Sequence, residues 1–186
     1  MKHGILRTDK IKSIESRTGM VSMKMPEEFD NGCIVALSEL VDVIEQGDKR
    51  REVYSISEAL PGTPIDQLVV IASPELNDFS VERGMDSHFN KAGTIARGYK
   101  LSNGDVFSIT KELIVGDPDV GKVVTTDGFG LEVTDGDQVF GKIINKEFYD
   151  QRWFYAIEVD SNATESPSGG SATVGSATVG TAIVGG

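Results

Sequence analysis

The residues of this chain best suited to nucleophilic or metal chemistry are two histidines and one cysteine. His3 lies near the N-terminus, and His88 lies in the loop-like sequence MDSHFN. These two histidines form neither the HExxH pattern of zinc enzymes nor a serine-histidine-aspartate order around a nucleophile elbow. Cys33 lies in the apolar run GCIVAL, and a single cysteine forms neither an intrachain disulfide nor a cysteine metal cluster. We therefore expect solvated or capping histidines and a cysteine that packs in the core.

Acidic loops are the second place where chemistry could reside. The sequence GDPDVGK at 116–122 is similar in outline to a phosphate-binding loop, but it lacks the Gly-Lys-Ser/Thr ending, and its aspartates would repel a phosphate. It also lacks the ligand spacing of a calcium loop. A carboxylate pair for glycoside hydrolysis would form only in the fold, and no sequence feature favours one. Converging loops could still gather a divalent cation, although turn formation is sufficient to explain the five aspartates concerned: Asp117, Asp119, Asp127, Asp135 and Asp137.

These patterns favour a binding or structural module over an enzyme, with no cofactor and no metal. The formal net charge of -11 argues against sequence-independent nucleic-acid binding, because neutralising phosphates needs a basic surface. No apolar stretch approaches the length of a membrane span, and no secretory h-region is present. We therefore expect synthesis in a cytoplasm, with no nucleic-acid and no membrane partner.

Basic residues are concentrated near the N-terminus. The first seventeen residues contain five of them, and no Lys or Arg follows Arg152. This asymmetry fits a protein that docks by its N-terminus and points its C-terminus away, although ordinary surface scatter explains it as well. The five residues are Lys2, Arg7, Lys10, Lys12 and Arg17.

Short runs rich in Val, Ile, Thr, Phe and Tyr, separated by Gly, Asn and Asp turns, predict a β protein. The strongest local pattern is TIARGYKLSNGDVFSIT, in which Asn103-Gly104 predicts the turn of a hairpin between alternating strands. Phe140, Trp153, Phe154 and Tyr155 are predicted to anchor the core of the final hairpin. Further strands are predicted at 20–25, 51–57, 68–73, 122–126, 131–134, 138–145 and 152–159.

The segment 33–45 is ambiguous, because Ile34, Leu37, Val41 and Ile44 fit a helical face, while GCIVAL also fits a buried strand. We favour a strand followed by a loop, since the surrounding sequence is β. From Ser161 the composition changes to Ser, Gly, Thr, Ala and Pro. The sequence thus predicts a mainly β fold, a small barrel or sandwich with long loops. It places an N-terminal arm at 1–17, the β domain at 18–160, and a linker with SATVG repeats at 161–186.

The order and character of several segments resemble the head auxiliary proteins of tailed bacteriophages, which are capsid decoration or head-fibre base proteins. The segments are MKHGILRTDKIKSIES, NGCIVALSELVD, REVYSISEAL, LVVIASPEL, HFNKAGTIARGYKLSNGDVFSIT and GKIINKEFYDQRWFYAIEV. The resemblance covers roughly residues 1 to 160 and includes no catalytic motif.

The resemblance implies a non-enzymatic virion protein on the outer capsid surface, a homotrimer that binds the major capsid protein and stabilises contacts between capsomers. The long C-terminal tail adds a display role. From the charge asymmetry we expect Arg7, Lys10 and Lys12 to contact an acidic capsid patch. The alternative is a carbohydrate- or host-surface-binding β module, for which Trp153 and Tyr155 could supply an exposed aromatic platform.

Overall fold

Two sheets make up the part of the chain that the computed structural model describes, which is residues 3–41, 52–75 and 87–165. The mainly β fold predicted from the sequence is confirmed. One short helix, α1 (Lys12–Glu15), and two 3-10 helices, Ile65–Gln67 and Lys111–Leu113, connect strands. The strands are β1 (Leu6–Lys10), β2 (Met20–Lys24), β3 (Ile34–Leu40), β4 (Val53–Glu58), β5 (Leu68–Ile71), β6 (Ile95–Lys100), β7 (Val106–Thr110), β8 (Ile114–Val115), β9 (Val123–Asp127), β10 (Gly130–Val133), β11 (Gly141–Tyr149) and β12 (Arg152–Val159).

Five strands close into a barrel in the order β2-β4-β3-β5-β6, with β6 returning to β2. All neighbours are antiparallel except β2 and β4. The segment 33–45 begins as the strand β3, as predicted, and its last four residues lie outside the described part of the chain. Closure gives every barrel strand a paired neighbour on both sides, so the barrel has no edge strand.

Seven strands form an open sheet in the order β1-β7-β12-β11-β9-β10-β8. β8 and β10 are parallel, and the other neighbours are antiparallel. The barrel strands all fall between residues 20 and 100, whereas the open sheet uses 6–10 and 106–159. The barrel is therefore inserted in sequence between β1 and β7, two strands that pair with each other.

The barrel and the open sheet share one core. Buried Met23, Val35 and Val70 from the barrel belong to the same cluster as Phe107 and Ile109 from the sheet. Backbone hydrogen bonds also cross between them, from Ile34 N–H to Phe129 O (3.0 Å) and from Ala59 N–H to Gly128 O (2.7 Å). The two sheets thus form one domain, consistent with a chain long enough for a single core.

The hairpin predicted at Asn103-Gly104 is wrong, although both of its strands exist. β6 belongs to the barrel and β7 to the open sheet, so they are not paired. A type I′ hairpin turn needs a positive φ at both central residues, and here only Gly104 has one (84°). The Asp105 carboxylate instead accepts the N–H groups of Ser102 (2.7 Å) and Lys12 (2.9 Å), which holds the turn against α1.

The two-residue hairpin with this geometry joins β11 and β12. Asp150 and Gln151 have φ values of 47° and 60°, and Tyr149 pairs with Arg152 across the turn. Two consecutive positive φ values match the type I′ turn that suits the twist of antiparallel strands. The sequence Asp-Gln is a weak signal for such a turn, because side chains other than Asn, Asp and Gly rarely adopt this conformation.

The N-terminal segment differs from the arm predicted over 1–17. Ile5, Leu6 and Ile11 are buried, and β1 pairs with β7 through Leu6 and Ile109 and through Arg7 and Ser108. This segment is part of the domain because its apolar residues complete the shared core. Of the predicted linker and SATVG tail at 161–186, residues 166–186 lie outside the described part of the chain.

Candidate functional site

The three predicted capsid-contact residues do not form one cluster. Arg7 donates to Glu147 Oε2 at 2.8 Å and lies 4.8 Å from the centre of the Phe154 ring. Lys12 donates to the carbonyl of Asn103, near the other end of β12. Lys10 is exposed and makes no ion pair with a described carboxylate. Arg7 and Lys12 have structural partners, and β1 is an edge strand, where charged side chains discourage unwanted strand pairing.

His3 holds the N-terminal segment to the domain. Its Nδ1 lies 2.7 Å from Asp30 Oδ1, and Gly4 N–H donates to Asp30 Oδ2 at 2.6 Å. Its carbonyl accepts from Arg152 Nη1 at 2.6 Å, and its ring stacks on Phe89 at 5.0 Å. These contacts explain His3 as a structural residue without any catalytic step.

His88 lines an open hollow of about 520 Å³ beside the barrel, together with Asn90 and Arg97. His88 Nε2 is buried and has no hydrogen-bond partner among the described residues. Cys33, the one thiol, is buried, and that burial, with a smaller contribution from Asp30, raises its pKa to about 12. Cys33 is therefore a protonated core residue near neutral pH and cannot act as a thiolate nucleophile.

The acidic loops surround a lysine. Lys122 Nζ lies 3.1 Å from Glu165 Oε1. This hydrogen bond, followed by the charge of Glu165, raises the pKa of Lys122, and Asp135 and Asp117 add to the effect. The described residues contain no group of three His, Cys, Asp or Glu side chains arranged to hold a metal ion.

The β11–β12 hairpin presents exposed aromatic residues beyond the body of the sheet. β12 pairs with β7 only from Phe154 onward, and β11 pairs with β9 only at Gly141 and Lys142. The last residues of the hairpin therefore extend past both neighbouring strands. We call this region the aromatic end; its exposed members are Phe148 (59%), Tyr149 (56%) and Trp153 (45%).

Trp153 is thus not a core residue, and that part of the sequence prediction is wrong. Phe140, Phe154 and Tyr155 are buried as predicted. Tyr155 lies opposite Ile109 of β7, whereas Trp153 lies opposite Phe148, beyond the last pair with β7. The position along the strand, and not the residue type, decides which aromatic side chain is covered.

One face of the aromatic end is an ordered group of three side chains. The rings of Phe148 and Trp153 lie 5.1 Å apart at 56°. Lys146 Nζ lies 4.8 Å from the Trp153 ring and 5.6 Å from that of Tyr155, and it lies 3.5 Å from Asp119 Oδ1. Cation–π contact with Lys146 fixes Trp153 from one side. The remaining ring surface is open to a partner.

The C-terminal segment leaves the sheet at the opposite end of β12. The strand runs for eight residues from Arg152 to Val159, so its ends are roughly 23 Å apart. Beyond it, Ser161 N–H donates to Asn103 Oδ1 at 3.3 Å. The aromatic end and the chain exit, which follows Val159, are therefore separated by the length of β12.

Comparison with models of protein families, with curated proteins and with solved structures finds no match to this chain. Among the described residues, no helix is long and apolar enough to cross a membrane.

Proposed function

We propose that this chain is a non-enzymatic structural protein of a phage virion that binds the outer capsid surface and displays its C-terminal segment outward. The observation that carries the proposal is the separation of the aromatic end from the chain exit along β12. In a protein that docks by Phe148 and Trp153, the end of β12 at Val159 lies at the far end of the strand from the docked surface. The order of segments that resembles head auxiliary proteins supports the same assignment.

The aromatic end has the composition of a protein contact site. Trp and Tyr dominate the binding energy of many interfaces because they bury a large area at low conformational cost. Here Trp153 and Phe148 form the apolar centre, with Lys146, Glu147 and Asp150 as charged neighbours along the hairpin. Such a surface suits a partner with an apolar pocket and a polar rim, such as the junction between capsid subunits.

We infer that several copies act together, with a homotrimer as the expected assembly. Linked copies reach a high effective concentration, so each contact with the shell needs only modest affinity. Native mass spectrometry of the purified chain tests this part separately. A trimer is expected, and a monomer at all concentrations would contradict it.

The main proposal is tested with heads purified from a phage that lacks this protein. We expect the wild-type chain to bind these heads, and Phe148→Ala with Trp153→Ala to lower the affinity at least tenfold. Leu60→Ala is the matched control, because Leu60 is similarly exposed (57%) but lies outside the hairpin. Absence of wild-type binding contradicts the proposed function, and equal binding of the double variant contradicts the role of the aromatic end.

A second candidate function is carbohydrate binding, favoured by the open ring surface of Trp153 beside Lys146. An exposed indole can stack on the apolar face of a sugar. A glycan array with the isolated chain tests this candidate. Glycan binding that Trp153→Ala abolishes, without any binding to heads, would favour it over the capsid proposal.

A further inference from the structure

The outer face of barrel strands β2 and β6 carries cations and apolar side chains and no carboxylate. Residues directly opposite in an antiparallel pair share a face. The register gives three such outward pairs: Met20 with Tyr99, Ser22 with Arg97, and Lys24 with Ile95. We call these six residues the β2–β6 face.

The charged and apolar residues of this face are open to contact. Met20 and Ile95 are 55% and 45% exposed, and Lys24 and Arg97 are also exposed. Neither cation forms an ion pair with a carboxylate in the described ranges. Glu75 lines a neighbouring hollow with Arg97 and Tyr99 but lies beyond ion-pair distance of Arg97.

This face differs in sign from the molecule as a whole. The chain has a formal net charge of -11, and the loops beside Lys122 are acidic. An anionic partner would be repelled by the net charge of the chain and attracted by the cations of the β2–β6 face. Such a charge distribution orients an encounter before contact forms.

We propose that the β2–β6 face is a second contact surface, which recognises an acidic protein surface that also carries apolar side chains. Where that partner is the phage shell, the inference rests on the proposed function above. Arg97 and Lys24 are diagonal neighbours across the strand pair, so their Cα atoms are about 7–8 Å apart. Two carboxylates on the surface of a folded protein can match this spacing. Met20 lies on the same strand as Lys24, and Ile95 lies on the same strand as Arg97; both supply apolar contact.

The mixed composition of the face favours a protein partner over a nucleic acid. Binding to phosphates gains strength from many cations in a row, because each neutralised phosphate releases counterions. Here two cations alternate with apolar side chains across three cross-strand pairs. An acidic protein surface satisfies both kinds of residue, whereas a phosphate backbone satisfies the cations alone.

The test uses an immobilised random copolymer of Glu and Tyr as an acidic, partly apolar polypeptide, with duplex DNA as the second probe. At an ionic strength of about 0.01 M, where charges interact over about 30 Å, we expect the full chain to bind the copolymer. Lys24→Glu with Arg97→Glu is expected to weaken binding at least tenfold. Lys111→Glu is the charge-reversal control, since Lys111 is an exposed cation outside the face, and it is expected to retain most of the affinity.

In the copolymer assay, three results would overturn the inference: no binding of the copolymer, equal weakening by the control, or tighter binding of DNA than of the copolymer. A thermal melt of each variant shows whether it is folded, and Lys24→Gln with Arg97→Gln replaces the reversal variant if that one unfolds. The same variants are then tested on phage heads. Copolymer binding without head binding contradicts the proposed function alone, and head binding that depends on Trp153 but not on Lys24 and Arg97 contradicts this inference alone.

Discussion

The closed barrel and the open sheet differ in how their strands are covered by neighbouring strands. Each barrel strand has a neighbour on both sides, so the barrel has no edge strand. The open sheet ends at β1, which is charged, and at β8, which is only two residues long. Its β11–β12 hairpin extends past both neighbours and leaves Trp153 uncovered. Exposed aromatic side chains therefore occur here where strand pairing stops, while the exposed cations of the β2–β6 face lie on strands that have a neighbour on each side.

The largest difference between the two regions should appear at their buried glycines. A Cβ on Gly141 of the open sheet would collide with the Glu158 carbonyl oxygen and lie 3.2 Å from the carbon of that group. These are backbone atoms of the paired strand, so β11 and β12 must separate to make room. We expect Gly141→Ala to lower the free energy of unfolding by about 3 kcal/mol, measured by urea denaturation.

Gly98 of the barrel is the counterpart. A Cβ there would first meet the end of the Met23 side chain and a methyl group of Val69, and Val70 O at 3.0 Å. The flexible end of Met23 can move at low cost, whereas the buried Val69 side chain moves less easily. Gly98→Ala should still cost less than Gly141→Ala, about 2 kcal/mol, because its nearest contacts are side-chain atoms and not backbone atoms. A larger loss than for Gly141→Ala would show that the closed barrel is the less adaptable region.

The barrel should also lose stability in alkali through Cys33. The pKa of this buried thiol is about 12 in the folded chain against 9.0 as the ordinary value. Below pH 9 both states hold the proton, and as the pH rises from 9 towards 12 only the unfolded state releases it. The free energy of unfolding should fall by on the order of 1 kcal/mol by pH 10. In Cys33→Ala this component of the pH dependence should be absent, and an unchanged slope would contradict it.

The turn between β11 and β12 should be improved by a glycine. Gln151 has a φ of 60°, which is strained for an L-residue and free for glycine. Gln151→Gly should raise the free energy of unfolding by about 0.5–1 kcal/mol. Asn103→Gly is the control with the opposite expected sign, because Asn103 has no positive φ and its side chain binds Ser161. Thermal melts of both variants check the prediction.

The smallest effect on stability is expected at the aromatic end. Phe148 and Trp153 are 59% and 45% exposed, so truncating them removes less buried area than truncating a core aromatic. Each Ala variant should lower the free energy of unfolding by no more than about 1 kcal/mol. A loss above 2 kcal/mol, as for a core aromatic, would mean that Trp153 supports the hairpin and is not kept for contact.

Most strands were predictable from local sequence, but β1 and β8 were not, and neither were the pairing partners of the strands. β2, β5, β9 and β12 follow from alternating or continuous apolar runs, and β12 matches the prediction at both ends. The pairing of β1 with β7 joins residues about a hundred positions apart, with the whole barrel between them. Hydrophobic periodicity reports which residues face a core and does not report which strand covers them.

Two turns show why local sequence does not determine turn conformation. Asn103-Gly104 has the preferred residues of a hairpin turn, yet the Asp105 carboxylate binds α1 and the strands separate into two sheets. Asp150-Gln151 lacks glycine, yet the register of the long β11–β12 pair imposes two positive φ values. At the site, the aromatic platform raised as an alternative named Trp153 and Tyr155, but only Trp153 is exposed and Tyr155 is buried, because their cover depends on where β7 and β9 end.

The insertion of the barrel between β1 and β7 has a consequence for synthesis on the ribosome. All five barrel strands have been made once residue 100 is added, while β1 still waits for β7 and then for β12. β1, which precedes the barrel in sequence, must therefore stay unpaired with β7 until the barrel has left the exit tunnel. Domains generally begin to fold during translation. During that time the charged residues of β1 favour contact with water while β1 has no paired strand.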